Sequence, residues 1–305
     1  MKIRHLKNHQ VSVKQWDEWV ENSINRRLYA SSVFLDIFSP DWDALVIDDG
    51  AAFMPLTRNR KYFIRYLFQP IFLQQLGLFF NDPGYAGSLP VFIGKLSEIY
   101  PYVDIALNEM NIDNSGDLKY TLMDNYLLTL DVPFQSAADR FNSNTRRNIK
   151  KALKAGMDIR TNALPSDVVE TFISNQGKMY PNVRKKNYIC LRSLLERGIA
   201  DGFVEIISAH NNKGQLIAAA CFIKDFDRYV FYFSANTREG REFGAMFYII
   251  DHFIEKYSES GMELDFNGSM NSDIARFYSG FGAKKKCYPR LKINNLQYPF
   301  RIFKR

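Results

Sequence analysis

A short stretch that combines arginines with glycines, Arg238–Ala245, has the residue types that bind phosphate groups. It is predicted to join a strand to a long helix, whose first N–H groups are unpaired and whose dipole favours anions. Arg238 and Arg241 add positive charge, while Gly240 and Gly244 would let the backbone approach a phosphate without a side-chain clash. Glycine in a first helical turn costs about 1 kcal/mol relative to alanine. Gly244 therefore indicates close packing or a ligand, although an ordinary loop before a poor helix start remains the alternative.

A second cationic feature is an amphipathic helix predicted between Arg140 and Arg160, an interval in which Asp158 is the only acid. Gly156 would end this helix. Its apolar side would consist of Phe141, Ile149, Ala152 and Leu153, and its opposite side of Arg147, Lys150, Lys151 and Lys154. The cationic side is either simply solvated or binds phosphate groups or tRNA.

The composition narrows the classes of chemistry. The chain has 305 residues, a net charge of +7 and a pI near 9.1, which favours anionic partners. Three cysteines without a CxxC pair and four histidines without HExxH predict neither a disulfide framework nor a metal site. Patterns of P-loop, dinucleotide-binding and α/β-hydrolase proteins are missing from the sequence. With no apolar run of about 20 residues and a charged N-terminus, we expect no membrane insertion and a cytoplasmic location.

The elements that position these residues are predicted to form two similar halves. Each half contains a strand–turn–strand–strand unit, which predicts two copies of one α/β domain. The first unit has strands at Ala44–Ile47, Ala51–Leu56 and Tyr62–Phe68, and the second at Phe203–Ala209, Gln215–Ile223 and Arg228–Phe233. A turn-rich stretch near Asn108–Leu118 separates the halves, which sets the domains at residues 1–117 and 118–305.

The second half continues with a helix at Glu242–Tyr257, a strand at Met262–Phe266 and a helix at Ser272–Phe281. The helix Glu242–Tyr257 has an apolar stripe that includes Phe243, Phe247, Ile250 and Ile254. Glu263 and Asp265 lie on the strand. Since strand side chains alternate between faces, at most one of these two carboxylates would point into a site there.

Two motifs of the second half resemble GCN5-related N-acetyltransferases, the GNAT family. The stretch Asn271–Ala283 is similar to the family's closing helix, N-x-x-A-x-x-h-Y-x-x-x-G-F, and keeps the spacing of its Asn, aromatic, Tyr and Gly positions. Arg241–Met246 resembles part of the family's acyl-CoA pyrophosphate loop, Q/R-x-x-G-x-G/A, with Met246 in place of the final small residue. The two motifs stand in the family's order and separation.

A third resemblance narrows the group. Asn144–Arg160 is similar to the "TRRNIRKAxKxG(V)xIR" opening of GNAT domains in the FemABX and BioF2-like group, whose members often carry two tandem GNAT-like domains. The resemblance covers Leu118–Ile293 and extends to the first half through the repeated meander. It implies an α/β (α+β) fold of two tandem GNAT-like domains, each with a mixed, mostly antiparallel sheet flanked by helices.

The resemblance also implies an activity, the transfer of an acyl group from acetyl-CoA or another acyl-CoA to an amine acceptor, without a metal. Tyr278 would protonate the leaving thiolate, and Asp265 would act as a base through water. A backbone N–H near Phe233 or Ser234 would stabilise the oxyanion. The donor would contact a set of residues around this point: Phe233, Ser234, Arg238, Arg241, Glu242, Phe243, Gly244, Ala245 and Asn271.

Two other functions remain open at this point. One is a Fem-type ligase that uses aminoacyl-tRNA and acts on a cell-wall precursor. Such ligases commonly bear a long helical hairpin, whereas Thr161–Gly202 predicts two ordinary helices, at Pro165–Tyr180 and Asn187–Gly198. The other is a non-catalytic GNAT-like binding module, which the departures from the motifs at Met246 and Ala283 favour.

Overall fold

The computed structural model describes residues 2–112, 116, 118–298 and 301. The chain forms two compact units, unit 1 at residues 1–123 and 287–305 and unit 2 at residues 124–286. The sequence analysis set the boundary at residues 117 and 118, in a turn-rich stretch of which residues 113–115 and 117 lie outside the described part. It also assigned the last strand to the second domain. The structure differs on that point, because the segment from Cys287 onward packs with unit 1.

Unit 1 begins with two helices and a small antiparallel sheet. Its helices are α1 (Val13–Asn22), α2 (Ser32–Phe38) and α3 (Leu89–Ile99). Its strands are β1 (Arg4–Leu6), β2 (Asp43–Ile47), β3 (Ala52–Leu56), β4 (Arg58–Lys61), β5 (Ile64–Phe68), β6 (Phe79–Phe80) and β7 (Tyr102–Ala106). The order of the small sheet is β1-β2-β3-β6, with antiparallel neighbours. Separately, β4 pairs with β5, and β5 runs parallel to β7.

The predicted third strand of the first meander, Tyr62–Phe68, is only partly correct. Tyr62 and Phe63 have positive φ angles, 48° and 65°, and form a turn instead of extended chain. The chain reverses at these two residues, so β5 pairs with β4 and not with β3. The place beside β3 is taken by β6, which was not predicted as a strand of this unit.

A buried carboxylate, Asp43, organises the start of β2. Its side chain has no exposed surface and is surrounded by the His5 ring nitrogen at 3.1 Å, the Lys7 ammonium at 3.1 Å and the Arg58 guanidinium at 3.0 Å. It also accepts a hydrogen bond from the Asn8 N–H, at 3.1 Å. Burial alone would raise the pKa of Asp43, but the cations of Lys7 and Arg58 outweigh it, so this pKa lies below its usual value.

Unit 2 is built on an antiparallel meander flanked by helices. Its strands are β8 (Tyr120–Thr129), β9 (Asp158–Arg160), β10 (Val204–His210), β11 (Leu216–Asp225), β12 (Arg228–Asn236) and β13 (Glu263–Asp265). Its helices are α4 (Phe134–Ala138), α5 (Ser143–Lys154), α6 (Pro165–Asn175), α7 (Lys185–Ala200), α8 (Arg238–Phe243), α9 (Ala245–Lys256) and α10 (Ser272–Ser279). The strand order β8-β13-β12-β11-β10-β9 contains the predicted meander β10-β11-β12. Within this order β12 and β13 are parallel, and the other pairs are antiparallel.

The two ends of unit 2 lie side by side. Asp124, the first residue of the unit, forms a 2.7 Å ion pair with Lys285 near its end. The following strand, β14 (Lys284–Asn294), then pairs antiparallel with β7 of unit 1 through Arg290–Asn294. Unit 1 is therefore assembled from two segments that are far apart in the sequence.

The fold class is confirmed as mixed α/β, with sheets that are mostly antiparallel and flanked by helices. None of the helices in the described part of the chain has the length and apolar character of a membrane span. The thiols of Cys190, Cys221 and Cys287 are all free.

Candidate functional site

The parallel strands β12 and β13 separate inside unit 2 and leave an opening between them. They pair from Arg228 with Glu263 to Val230 with Asp265, where β13 ends, while β12 continues to Asn236. A bulge in β12 accompanies the separation, because Tyr232 is an extra residue between the pairs of β12 with β11. Ligands of open sheets bind outside the carboxyl ends of parallel strands, and bulges often lie beside active sites. This position in unit 2 is the best candidate for a site.

Tyr278 lies where the two strands separate. Its ring, on α10, stacks on Phe266 at 4.7 Å between centroids and meets the edge of Phe231 at 6.2 Å. The side chain is buried among these rings, and burial raises the pKa of the Tyr278 phenol above its usual value. The phenol is therefore protonated at neutral pH and can donate a hydrogen bond or a proton.

Asp265 lies in a different environment from the one expected of a base. Its carboxylate is 3% exposed and forms a 3.2 Å ion pair with Arg228, which is 4% exposed. It also accepts hydrogen bonds from the Asn125 side chain at 3.1 Å and from the Asn267 backbone N–H at 2.7 Å. These contacts are those of a carboxylate that holds β8, β12 and the end of β13 together. The other carboxylate of the strand, Glu263, is partly exposed and lies 4.0 Å from Arg228.

The helix predicted at Glu242–Tyr257 is broken at Gly244. This glycine has φ +77° and ψ 27°, ends α8 and begins α9. A side chain at Gly244 would place its Cβ 2.8 Å from the backbone oxygen of Asn148 on α5. Gly240 is also enclosed, since its Cβ would lie 2.3 Å from the backbone oxygen of Ile217. Both glycines are thus required by packing against the protein, which is one of the two roles expected for Gly244.

The backbone groups of the arginine-rich stretch are largely used within the protein. The N–H of Gly240 donates to the Thr237 hydroxyl at 3.0 Å, and the N–H of Arg241 to the Thr237 carbonyl at 3.0 Å. The Arg241 guanidinium donates to the Asn236 carbonyl at 2.7 Å. Arg238 is exposed. The stretch is a capped helical turn, not the open loop that the sequence suggested.

The remaining residues predicted to contact a donor are dispersed around this turn. Phe243 and Glu242 contact α5, because the Lys151 ammonium lies 5.5 Å from the Phe243 ring and donates to the Glu242 carbonyl at 2.5 Å. Ala245 is fully buried in the core of unit 2. Asn271 caps α10 by accepting hydrogen bonds from the N–H groups of Asp273 and Ile274. Phe233 and Ser234 lie on β12 beyond the bulge, at the opening.

The basic helix α5 presents cations without acidic partners. In the described part of the chain, none of the basic side chains of this helix forms an ion pair; they are Arg146, Arg147, Lys150, Lys151 and Lys154. Gly156 follows the helix with φ +65°, as expected for its end. Leu153, which was expected on the apolar face, is 53% exposed. The helix is slightly less amphipathic than its sequence indicates, but its cationic face is present.

An aromatic cluster over β12 was not predicted as part of a site. Phe172 of α6 lies 4.8 Å from the Phe233 ring and 5.5 Å from Tyr180, and the Tyr188 ring of α7 is 6.0 Å away. The buried Tyr188 hydroxyl finds no hydrogen-bond partner among the described residues. These aromatics were visible in the sequence only as apolar positions of two helices, and nothing local showed that both helices cover β12. The described residues contain no group of three His, Cys, Asp or Glu side chains that could hold a metal.

Comparisons with known proteins identify the fold. Residues 139–273 match the family described as the acetyltransferase (GNAT) domain. The chain is similar to the crystal structure of FemX, with a TM-score of 0.66, 13% identity and coverage of 100% of both chains. No curated protein sequence matches the chain significantly.

Two further solved structures have the same fold at low identity. One is a conserved protein of unknown function from Bacteroides thetaiotaomicron VPI-5482, with a TM-score of 0.60, 11% identity and coverage of 92% of this chain and 97% of that one. The other is a C-terminal domain (DUF2156) assigned to lysylphosphatidylglycerol synthetase from Agrobacterium fabrum, with a TM-score of 0.59, 9% identity and coverage of 95% and 94%. The resemblance to the FemABX-like GNAT group is confirmed. Residues 139–273 of unit 2 form a GNAT acetyltransferase domain, within a chain that has the fold of FemX.

Proposed function

We propose that unit 2 transfers an acyl group from an activated ester or thioester to an amine, at the opening between β12 and β13. The observation that carries this proposal is the position of Tyr278, whose buried, protonated phenol lies where the paired strands separate. The match of residues 139–273 to the GNAT acetyltransferase domain supports the same class of reaction.

The backbone of β12 supports the stabilisation of an oxyanion. The Asn267 side chain lies 3.5 Å from the Tyr232 carbonyl oxygen, which places that carbonyl on the open side of β12. Because backbone groups of a strand alternate between its two edges, the N–H of Ser234 faces the same side. We propose that this N–H binds the carbonyl oxygen of the acyl donor. Such a donor is worth about 3–4 kcal/mol in acyl transfer when it is aimed at the developing charge.

The proposed step balances as follows. The acceptor nitrogen attacks the acyl carbon and forms a C–N bond, and the C–S or C–O bond to the leaving group breaks. The phenol of Tyr278 gives its proton to the departing thiolate or alkoxide, while the amine releases a proton to water. Asp265 is not assigned the base, because its carboxylate is held by Arg228, Asn125 and the Asn267 N–H. We assign it instead the positioning of the two strands.

We propose acyl-CoA, with acetyl-CoA as the first to test, as the donor. The exposed Arg238 and the cationic face of α5 supply positive charge near α8 and α9 for its phosphates. Since Lys151 is already bound to the Glu242 carbonyl, the useful charges of this face are Lys150 and Lys154, both exposed.

A second candidate donor, aminoacyl-tRNA, is favoured by one observation. The glycines and N–H groups of the expected pyrophosphate loop are engaged by the protein itself, so this stretch does not form an open phosphate cradle. A cationic helix face without ion pairs suits a polyanionic backbone as well as a single cofactor. The likeness to FemX is compatible with this donor.

Binding measurements separate the two donors. Titration of the full chain with acetyl-CoA, and separately with aminoacylated and uncharged tRNA, is expected to show saturable binding of one donor. The Lys150→Glu, Lys154→Glu double variant is expected to weaken that binding at least tenfold at low salt. The Lys185→Glu, Lys186→Glu variant, which alters two adjacent exposed lysines on α7, is the matched control and should bind as the wild type does.

Turnover tests the chemistry itself. With the donor that binds and a panel of amines, Tyr278→Phe should lower kcat by about 10²-fold or more, because it removes the acid but keeps the ring stacked on Phe266. Tyr126→Phe is the matched control, since its ring lies 6.0 Å from Tyr278 in the same core. Equal activity of Tyr278→Phe and wild type would remove Tyr278 from the mechanism. Saturable donor binding without turnover of any amine would favour a non-catalytic binding module.

A further inference from the structure

The hairpin between β4 and β5 ends in two exposed aromatic residues. The loop has only two residues, because Lys61 pairs with Ile64 across it. Tyr62 is 71% exposed and Phe63 is 89% exposed, which makes them the most exposed aromatic side chains of this part of unit 1. Large apolar side chains gain nothing from such exposure in water, so their presence at the tip calls for a function.

The backbone of the loop makes the choice of residues more unusual. Both central residues have positive φ angles, 48° at Tyr62 and 65° at Phe63, as in a type I′ turn. That turn favours Asn-Gly, because residues with bulky side chains are strained in the left-handed region. Two aromatics therefore occupy positions that the turn itself would assign to small residues, and they receive no burial in return.

Cations surround the two rings. The Arg60 guanidinium lies 5.5 Å from the Phe63 ring centre, and the Lys61 ammonium lies 5.2 Å from the Tyr62 ring centre. Arg65 on β5 is also exposed. The sequence between Asp49 and Asp82 contains no acidic residue. At the base of the hairpin, Arg58 is anchored by its ion pair with Asp43, so the hairpin is attached to the buried centre of unit 1.

We propose that this hairpin tip docks unit 1 on the surface of a bilayer that contains anionic lipids. Aromatic side chains at the end of a protrusion can enter the boundary between headgroups and acyl chains, where their exposed area becomes buried. The cations of Arg60, Lys61 and Arg65 would then lie at the level of the lipid phosphates. The positive net charge of the chain, +7, acts in the same direction.

Single-stranded nucleic acid is a less suitable occupant. Nucleic acids that stack on aromatics use ring faces along a groove, whereas this tip is convex and only two residues wide. One face of each ring is already occupied by a cation of the chain itself. Entry into a bilayer needs only the exposed edges of the rings and leaves these contacts intact.

The test uses co-sedimentation of the full chain with vesicles. Vesicles of phosphatidylcholine with one quarter phosphatidylglycerol are expected to bind the protein at least tenfold more strongly than pure phosphatidylcholine vesicles, and less at high salt. Free glycerol phosphate at the same total phosphate concentration should not compete, because the proposal requires a lipid surface.

Two variants and a control locate the binding. Tyr62→Asn with Phe63→Gly should lower vesicle binding at least tenfold, while the thermal midpoint stays equal or rises, because Asn-Gly suits the turn. Arg60→Glu with Lys61→Glu should abolish the preference for anionic vesicles. Lys185→Glu with Lys186→Glu, a charge change of equal size in unit 2, should bind as the wild type does.

Three results would overturn the proposal. The first is vesicle binding by the Asn-Gly variant at the wild-type level, and the second is an equal loss of binding in the Lys185 and Lys186 variant. The third is binding of oligouridylate, but not of vesicles, that depends on Tyr62 and Phe63, since that result would assign the tip to nucleic acid.

Discussion

Each unit contains one fully buried carboxylate that collects basic partners, and the two differ in how those partners reach it. Asp43 of unit 1 is approached by Lys7 and Arg58, whose side chains are 44% and 38% exposed. Asp265 of unit 2 is paired with Arg228, whose side chain is 4% exposed. The cations of unit 1 therefore enter from the surface, whereas the pair of unit 2 is closed off from water on both sides.

The difference corresponds to what each carboxylate holds. Asp43 begins β2, which is paired along its length with β3. Asp265 ends β13 at the point where this strand separates from β12. A fixed opening needs a rigid hinge on its paired side, and the closed pair of Asp265 with Arg228 supplies one. The comparison teaches that the same chemical motif serves general cohesion in unit 1 and the geometry of the candidate site in unit 2.

The largest expected effect follows from breaking the closed pair. Arg228→Ala leaves the Asp265 charge buried without its cation, which should lower the free energy of unfolding by about 3–5 kcal/mol. Urea denaturation measures this loss. Arg228→Lys keeps a charge and should recover part of the stability. A loss below about 1 kcal/mol in Arg228→Ala would show that water reaches Asp265 and that the two carboxylates are alike.

The next effect tests how tightly unit 2 is packed beside its opening. Gly244→Ala forces a side chain into a left-handed residue and within 2.8 Å of the Asn148 carbonyl oxygen, which should cost about 2–4 kcal/mol. Gly156→Ala is the matched control, because Gly156 is also left-handed, at φ +65°, but has open space around its Cβ. It should cost about 1 kcal/mol. Equal losses in the two variants would show that α5 does not press on Gly244.

A smaller effect concerns Asp251 on α9. Burial and the neighbouring Glu255 raise the pKa of Asp251 to about 6 in the folded chain. The folded state binds this proton more tightly than the unfolded state, so the stability it contributes at low pH is lost as the pH rises through 6. Asp251→Asn should therefore stabilise the protein by about 1–2 kcal/mol above pH 6, an effect reduced by partial exposure of the side chain. Below about pH 4 wild type and variant should unfold alike in urea, and an advantage that grows with acidity would contradict this expectation.

The counterpart of the first prediction in unit 1 is Arg58→Ala. Because Lys7, His5 and the Asn8 N–H still surround Asp43, the loss should be roughly 1 kcal/mol, well below that of Arg228→Ala. Urea denaturation of the two variants side by side measures the ratio. If Arg58→Ala costs as much as Arg228→Ala, exposure of the cations does not distinguish the two carboxylates.

The smallest effect is the response of the two units to acid. Burial lowers the pKa of His5, with the Lys7 charge adding to it, so the unfolded state binds the proton more readily. The stability contributed by neutral His5 is lost as the pH falls below about 6.5. Hydrogen exchange at pH 5.5 and 7.5, corrected for the intrinsic rates, should show β1 and β2 less protected at the lower pH. Protection of α9 should change in the opposite direction because of Asp251.

Features encoded by neighbouring residues could be predicted from the sequence. The meander β10-β11-β12 was correct, because its apolar strands are separated by a local turn signal at Asn211–Gly214. The helix α10 and its Asn271 cap were likewise predicted within a residue or two. These elements depend on hydrophobic periodicity and turn residues, both of which are visible in a short window of sequence.

Features that depend on distant partners could not be predicted in the same way. Gly244 breaks its helix because Asn148, on a different helix, leaves no room for a side chain. Asp265 was expected to be a base, but its partner Arg228 lies on another strand, and only the folded sheet brings the two together. The aromatic residues over β12 come from two helices whose docking has no local signal. Sequence reasoning thus located Tyr278 and the opening but not the contacts that decide how they work.

The ion pair between Asp124 and Lys285 has a consequence for how the chain folds. The contact of Asp104 with Arg290 in unit 1 spans a sequence separation of 186 residues, and closing a flexible loop of that size costs about 4–5 kcal/mol of entropy. Once unit 2 has folded, its first and last residues are 2.7 Å apart, so the long loop is already closed. On a ribosome, the strand β7 would wait for β14 until the whole of unit 2 had emerged and folded. We therefore expect unit 2 to act as the template for completing unit 1, and a destabilised unit 2 to delay the formation of both.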